Sequence, residues 1–212
     1  LELATLVFMN LHEDEDGDVE IKGIKYSEMD LQIIDTGYGL ERFCWAAAGT
    51  PTIYEAIYPE SVSWLKELTG FSQILEGTGI NLDELLGQMS RLLGIMNIEI
   101  GSDESSLRKV LISRLTERGV EIDEQTLLSV SQPLSRIYAI PDHMHAICNM
   151  LGDGLVPSNA KAGYLARMLI RRVLRMRDEL GLNVSLSDLA EHHLQFNFEV
   201  SRMKQTTAGF LQ

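Results

Sequence analysis

Ile33-Ile34-Asp35-Thr36-Gly37-Tyr38-Gly39-Leu40-Glu41-Arg42-Phe43 runs from a strand-like apolar stretch into helical spacing with only two glycines between. A glycine has no Cβ, so a ligand can lie directly against the strand backbone there. An arginine on the first helical turn can point back at the same ligand, with planar donors suited to phosphate or a purine face. Asp35, at the strand end, can pair with an ammonium group. A tight strand–helix turn with a surface arginine would use the same residues. The third glycine of a dinucleotide fingerprint and the Lys-Ser/Thr pair of a phosphate-binding P-loop are both missing.

Upstream of this segment the chain reads as strands. Ala4-Thr5-Leu6-Val7-Phe8-Met9 is an apolar run of strand length, and Glu13-Asp14-Glu15-Asp16-Gly17-Asp18 is a solvated turn. Val19, Ile21 and Ile24 continue an alternating strand or hairpin, and Leu31-Gln32-Ile33-Ile34 is expected to be a buried strand ended by Gly37 and Gly39. Downstream the signal is helical: Leu40–Ala48 stopped by Gly49-Thr50-Pro51, then Val62–Leu68. Next comes a helix started by Asn81 with Leu82, Leu85, Leu86, Met89, Leu92 and Leu93 at helical spacing. Ser102-Asp103-Glu104 opens a helix to about Arg118. Asp123 begins another, bent or ended near Pro133, and Asp142–Leu151 is a further one. The longest is expected from about Ala160 to Leu180, and a last one follows Ser187. The fold class is therefore α+β: short antiparallel strands followed by a mainly α-helical domain.

The whole chain has 212 residues, 45% hydrophobic and 23% charged, which is the composition of a globular protein. No run of eighteen apolar residues is present, so no membrane span or membrane partner is expected. Two widely separated cysteines, Cys44 and Cys148, read as free buried thiols, which excludes a disulfide scaffold. The net charge of −13 argues at first sight against a nucleic-acid partner, but the charge is unevenly spread. Residues 1–130 hold 24 acidic and 9 basic side chains, whereas residues 131–212 hold 7 and 9. Between Lys161 and Arg177 there are six basic residues and no acid. One concentrated basic face can bind phosphates locally while the rest of the surface repels non-specific polyanion contact.

Arg167, Arg171 and Arg175 step by four, so they form one ridge along the helix, while Leu165, Leu169 and Val173 form an apolar row elsewhere on it. The ridge suits a duplex backbone. A solvated face, or ion pairs with the acidic half, would account for it as well. Asn159, just before this helix, reads as an N-cap, and its amide can also address a base edge. His143, His145 and Cys148 make a weak metal candidate, and His192-His193 read as surface or packing residues. No metal site is assigned.

Asp35-Thr36-Gly37-Tyr38-Gly39-Leu40-Glu41-Arg42 resembles the third signature motif of class II aminoacyl-tRNA synthetases, in the version found in the alanyl enzymes. Leu6-Val7-Phe8-Met9 before it, and Asp142-His143, Gly154-Leu155-Val156-Pro157-Ser158-Asn159 and Gly163-Tyr164 after it, are similar to the same family in the same order. Thr50-Pro51-Thr52 and Tyr54-Glu55-Ala56 look most like its archaeal branch. The resemblance implies that residues 1–50 are the end of the catalytic domain and residues 51–212 a helical tRNA-recognition domain, both cytoplasmic. It implies an internal piece of a longer ligase that is inactive alone, with zinc belonging only to an editing domain outside it. A start at Leu1 and the lack of the second motif's phosphate-gripping arginine fit that expectation. By the same resemblance Arg42 is catalytic and contacts ATP with its magnesium, together with Gly39. Asp35 holds the ammonium of alanine, and Gly37 keeps the pocket small. Asn159 helps read the G·U wobble pair of the tRNA(Ala) acceptor stem, with Arg167, Arg171 and Arg175 on the RNA. Ala162 and Met168 stand where other members carry basic residues. The apolar strands, taken from a larger sheet, are expected to be covered by self-association or to be poorly ordered.

Overall fold

A computed structural model describes residues 2–93 and 103–197. They fall into two compact units, Leu1–Gly49 and Thr50–Gln212.

The first unit is a three-stranded antiparallel sheet and one helix. β1 (Ala4–Glu13) pairs with β3 (Ile24–Tyr38), which pairs on its other side with the short β2 (Val19–Ile21), giving the order β1-β3-β2. Lys22 and Gly23, with φ of 53° and 82°, make the two-residue turn between β2 and β3. Two successive positive φ values twist the hairpin in the sense its strands require. The pairing β1–β3 sets Ala4 opposite Tyr38, Val7 opposite Asp35 and Met9 opposite Ile33, with an irregularity between Met9 and Leu11. α1 (Leu40–Ala48) follows at once.

Two expectations are corrected here. Leu31–Ile34 is not a separate strand but the middle of β3, which continues through Gly37 and ends at Tyr38, directly before Gly39. Nor is it buried: Leu31 is 67% and Phe8 73% exposed, and α1 has no buried residue. Directly opposed residues share a face, so Leu6, Phe8, Ile34 and Tyr38 lie on one face and Val7, Met9, Ile33 and Asp35 on the other. Both faces are solvated because a three-stranded sheet with a single helix has nothing to bury them.

The second unit is helical: α2 (Ile53–Ile57), α3 (Pro59–Leu68), α4 (Phe71–Thr78), α5 (Leu82–Leu93), α6 (Glu104–Glu117), α7 (Glu124–Gly152), α8 (Lys161–Glu179) and α9 (Leu186–Asn197). Ser102, expected to open α6, lies outside the described residues. Asp103 and Asp123 cap α6 and α7 by accepting from Ser106 N and Thr126 N at 3.3 and 2.7 Å, and Asn81 caps α5 by accepting from Glu84 N at 3.2 Å. Such caps satisfy backbone donors that have no partner within the helix.

α7 organises the unit, touching α3, α4, α6, α8 and α9. The sequence suggested two helices around Pro133, yet α7 is continuous through both Pro133 and Pro141. Each internal proline costs about 3 kcal/mol. Eleven side chains buried along this helix, at roughly 1.5–3 kcal/mol each, outweigh both. Ile137, Ile147, Cys148 and Leu151 are fully enclosed, against Leu65, Phe71, Leu115, Val173 and Leu194 from the neighbouring helices. Burial pushes the Cys148 thiol up to about 12, so it stays protonated. Cys44, expected to be buried, is exposed on α1.

Candidate functional site

Two sets of candidate residues stand on the two units. On the first, Asp35 and Gly37 lie two apart on β3 and therefore face the same way. Asp35 sits beside Ile33 and opposite Val7, with no hydrogen bond or ion pair to its carboxylate among the described residues. A Cβ on Gly37 would meet nothing within 4 Å. Packing within the unit therefore does not require glycine there, although glycine weakens a strand.

Gly39 is different. A Cβ there would stand 3.0 Å from Cδ of Arg42, so the bare glycine leaves room for the arginine stem to fold back over the N-terminus of α1. Arg42 Nη1 donates to the carbonyl of Glu2 at 2.8 Å, and Gly39 N donates to the carbonyl of Leu3 at 3.1 Å. The arginine is thus oriented by β1's leading residues, and most of its donors remain open to solvent. Arg42 and Asp35 make no contact with each other among these interactions.

The second set lies at the start of α8. Gly163 makes the local geometry: a Cβ there would fall 2.2 Å from Ser158 Oγ and 2.6 Å from the Val156 carbonyl. Only glycine lets the loop before α8 fold onto the helix's first turn, where Ser158 N donates to the Gly163 carbonyl at 3.0 Å. Ser158 Oγ in turn donates to the Ala160 carbonyl and accepts from Ala160 N at 3.2 and 3.4 Å. Asn159 is held between these anchors with its side chain outward. The sequence suggested an N-cap, but the cap position belongs to Ala160. The amide of Asn159 is exposed and enters no hydrogen bond among the described residues.

An open groove of about 450 Å³ begins at Asn159 and Tyr164 and continues along Arg167, Arg171, Arg172 and Arg175. All four arginines are exposed, and none enters an ion pair or hydrogen bond among the described residues. Pairing of this ridge with the acidic half of the chain, one of the two alternatives the sequence left open, does not occur within them. Arg177, two residues past Arg175, pairs instead with Asp178 at 2.6 Å, and Arg136 of α7 pairs with Glu179. The acidic end of α8 is thereby neutralised while its basic length stays free. Arg172 and Tyr164 extend the site beyond the residues singled out from sequence. Tyr164 stands three before Arg167 and seven before Arg171, a helical spacing that marks the same face.

The histidines sort differently. His193 is 1% exposed and lies 3.2 Å from His145, ring nitrogen to ring nitrogen, beside Tyr58. His192 stacks on Trp64 at 4.0 Å. Burial, then the neighbouring His145 and His192, push His193 down to about 3. Among the described residues no group of three or more His, Cys, Asp or Glu side chains could hold a metal ion, so the His143, His145 and Cys148 candidate is withdrawn. No helix there is long and apolar enough to cross a membrane.

Residues 4–207 match the family described as tRNA synthetases class II (A). The chain belongs to that family. Its relatives include an alanine–tRNA ligase of Methanosarcina barkeri, 47% identical over 195 residues, which are 92% of this chain and 20% of that protein. Another, of Archaeoglobus fulgidus, is 48% identical over 203 residues, 94% of this chain and 22% of the relative. A third, of Methanothrix thermoacetophila, is 48% identical over 191 residues, 90% of this chain and 20% of the relative. The chain thus spans about a fifth of the length of the curated relatives it matches. Within this class II synthetase chain, the sheet unit carries the segment that resembles the third signature motif, and the helical unit carries the arginine groove.

Proposed function

We propose that this chain is part of an alanine–tRNA ligase, which activates alanine with ATP and transfers it to tRNA(Ala) in the cytoplasm. The helical unit binds the acceptor stem and the sheet unit contributes to the adenylate-forming site. The observation that carries the reading is the groove on α8, where four arginines continue from an asparagine amide, none of them paired among the described residues.

Arginines without carboxylate partners keep their charge for phosphates, and contacts of that kind position a nucleic acid without reading it. The asparagine does the reading. A G·U wobble leaves the guanine 2-amino group unpaired in the minor groove, which in A-form RNA is wide and shallow. The amide oxygen of Asn159 accepts a hydrogen bond from that amino group. On the sheet, Asp35 beside Val7 and Ile33 suits an ammonium carried by a small apolar residue, and the bare Gly37 lets that residue approach the strand. Arg42, held by the Glu2 carbonyl, offers its remaining donors to ATP, close to Gly39. Catalysis of this kind rests on positioning and on stabilising charge during attack at the α-phosphate. The magnesium that accompanies ATP is assigned to no residue of this chain.

Binding of an acceptor-stem RNA duplex as a function of salt tests the reading. Arg171→Ala is expected to weaken binding of G·U and G·C duplexes alike and to lower the slope of log K against log[salt] by about one contact. Salt-insensitive binding, or an unchanged slope, would refute the assignment of the ridge.

A further inference from the structure

Tyr164 stands out in the groove because nothing in the fold requires it. The residue is 56% exposed and lines the arginine groove of α8 together with Asn159, and its hydroxyl makes no hydrogen bond among the described residues. Met168, one turn further, lines the same groove and interrupts the positive charge between Arg167 and Arg171. A ridge serving phosphates alone would gain from cations at both places. Instead the structure puts an aromatic ring, a free hydroxyl and a thioether where the asparagine amide is presented. The minor groove of A-form RNA displays just two kinds of group, base edges and ribose 2′-hydroxyls. Asn159 matches the first. A phenol, which both donates and accepts, matches the second.

We propose that Tyr164 is a specificity-determining residue for ribose. Its hydroxyl bonds a 2′-hydroxyl beside the base pair presented to Asn159, and its ring together with Met168 covers the sugar. The proposal rests on the acceptor-stem reading given above and extends it from phosphate and base to the sugar.

The test uses the 212-residue chain and two acceptor-stem RNA duplexes, both with the G·U pair, followed by fluorescence anisotropy. One is all ribose; the other has 2′-deoxyribose at the wobble pair and its immediate neighbours. The unaltered chain should prefer the all-ribose duplex by about fivefold, as expected for one hydrogen bond. Tyr164→Phe should bring the two affinities together by weakening the all-ribose complex alone. Arg171→Ala should weaken both complexes and keep the fivefold ratio. If Tyr164→Phe leaves the ratio in place, or weakens both complexes equally, the sugar contact is refuted while the acceptor-stem reading stands. If the unaltered chain binds neither duplex, that reading falls and this proposal with it.

Discussion

Gly163 and Asn159 divide one task between them. Gly163 admits the loop that holds Asn159 outward, and Asn159 carries the amide. Asn159→Ser should cost no capping energy, since Ala160 and not Asn159 holds the cap position. The shorter side chain should still reduce the preference for a G·U over a G·C acceptor by roughly 1–3 kcal/mol, measured as the ratio of the two affinities. A preference that survives this change would remove Asn159 from recognition. Gly163→Ala makes the complementary test. The added Cβ, 2.2 Å from Ser158 Oγ, must push the loop away and carry Asn159 with it. Its G·U preference should fall as in Asn159→Ser, but with the helical unit's melting temperature lowered by several degrees, a loss of about 1–3 kcal/mol for overpacking. Loss of stability with the preference intact would mean that the loop's position does not matter to reading.

Among the described elements, α9 is expected to dock in a pH-dependent way, because His193 is buried in its contact with α7. It reaches α7 through the His193–His145 contact and α3 through the His192–Trp64 stack, with Asn197 closing the same cluster 3.4 Å from His193. Folding holds His193 down to about 3, against 6.5 for an ordinary histidine. Between those values the unfolded chain takes up a proton that the folded one refuses. The stabilisation is therefore complete above about pH 6.5 and is lost as pH falls through the window below it, by up to about 1.4 kcal/mol per pH unit. Asp103 and Asp123, which cap α6 and α7, and Asp188, which accepts from Ser185 N and Oγ in the first turn of α9, are all held below their usual 3.8 by hydrogen bonds and stay ionised through most of that window. Amide protection in α9 should fall between pH 6.5 and 4.5, and His193→Phe should flatten the dependence. A protection profile independent of pH in the unaltered chain would contradict the assignment. α7 teaches a related lesson at the same scale, because its two prolines are local stop signals that burial along one face overrides.

For the molecule as a whole, the contrast between the units governs behaviour in solution. The helical unit encloses a core of apolar side chains around α7, whereas the sheet leaves Leu6, Phe8, Ile34 and Tyr38 on one solvated face, with unpaired strand edges beside them among the described residues. Exposed apolar faces and open edges drive association. The isolated chain should show a weight-average mass that rises with concentration in sedimentation, and Phe8→Lys with Ile34→Lys should suppress the rise. A monomer at every concentration would refute the expectation. Much of this was legible in the linear sequence, because periodicity, caps and glycines are local. Strand followed by helix around Asp35–Arg42, the exact span of α1, the arginine spacing on α8 and the motif's family resemblance all follow from residues close together in the chain. The rest depended on partners distant in sequence. Burial of Leu31–Ile34 could not be judged from its own apolar run, since burial needs a covering layer and this unit has none. Whether α7 would survive its prolines was a question of how many side chains it buries against other helices. The pairing of His145 with His193 spans 48 residues, and the freedom of the arginine ridge and the Asn159 amide was decided by which carboxylates and backbone donors the tertiary fold brought, or failed to bring, within reach.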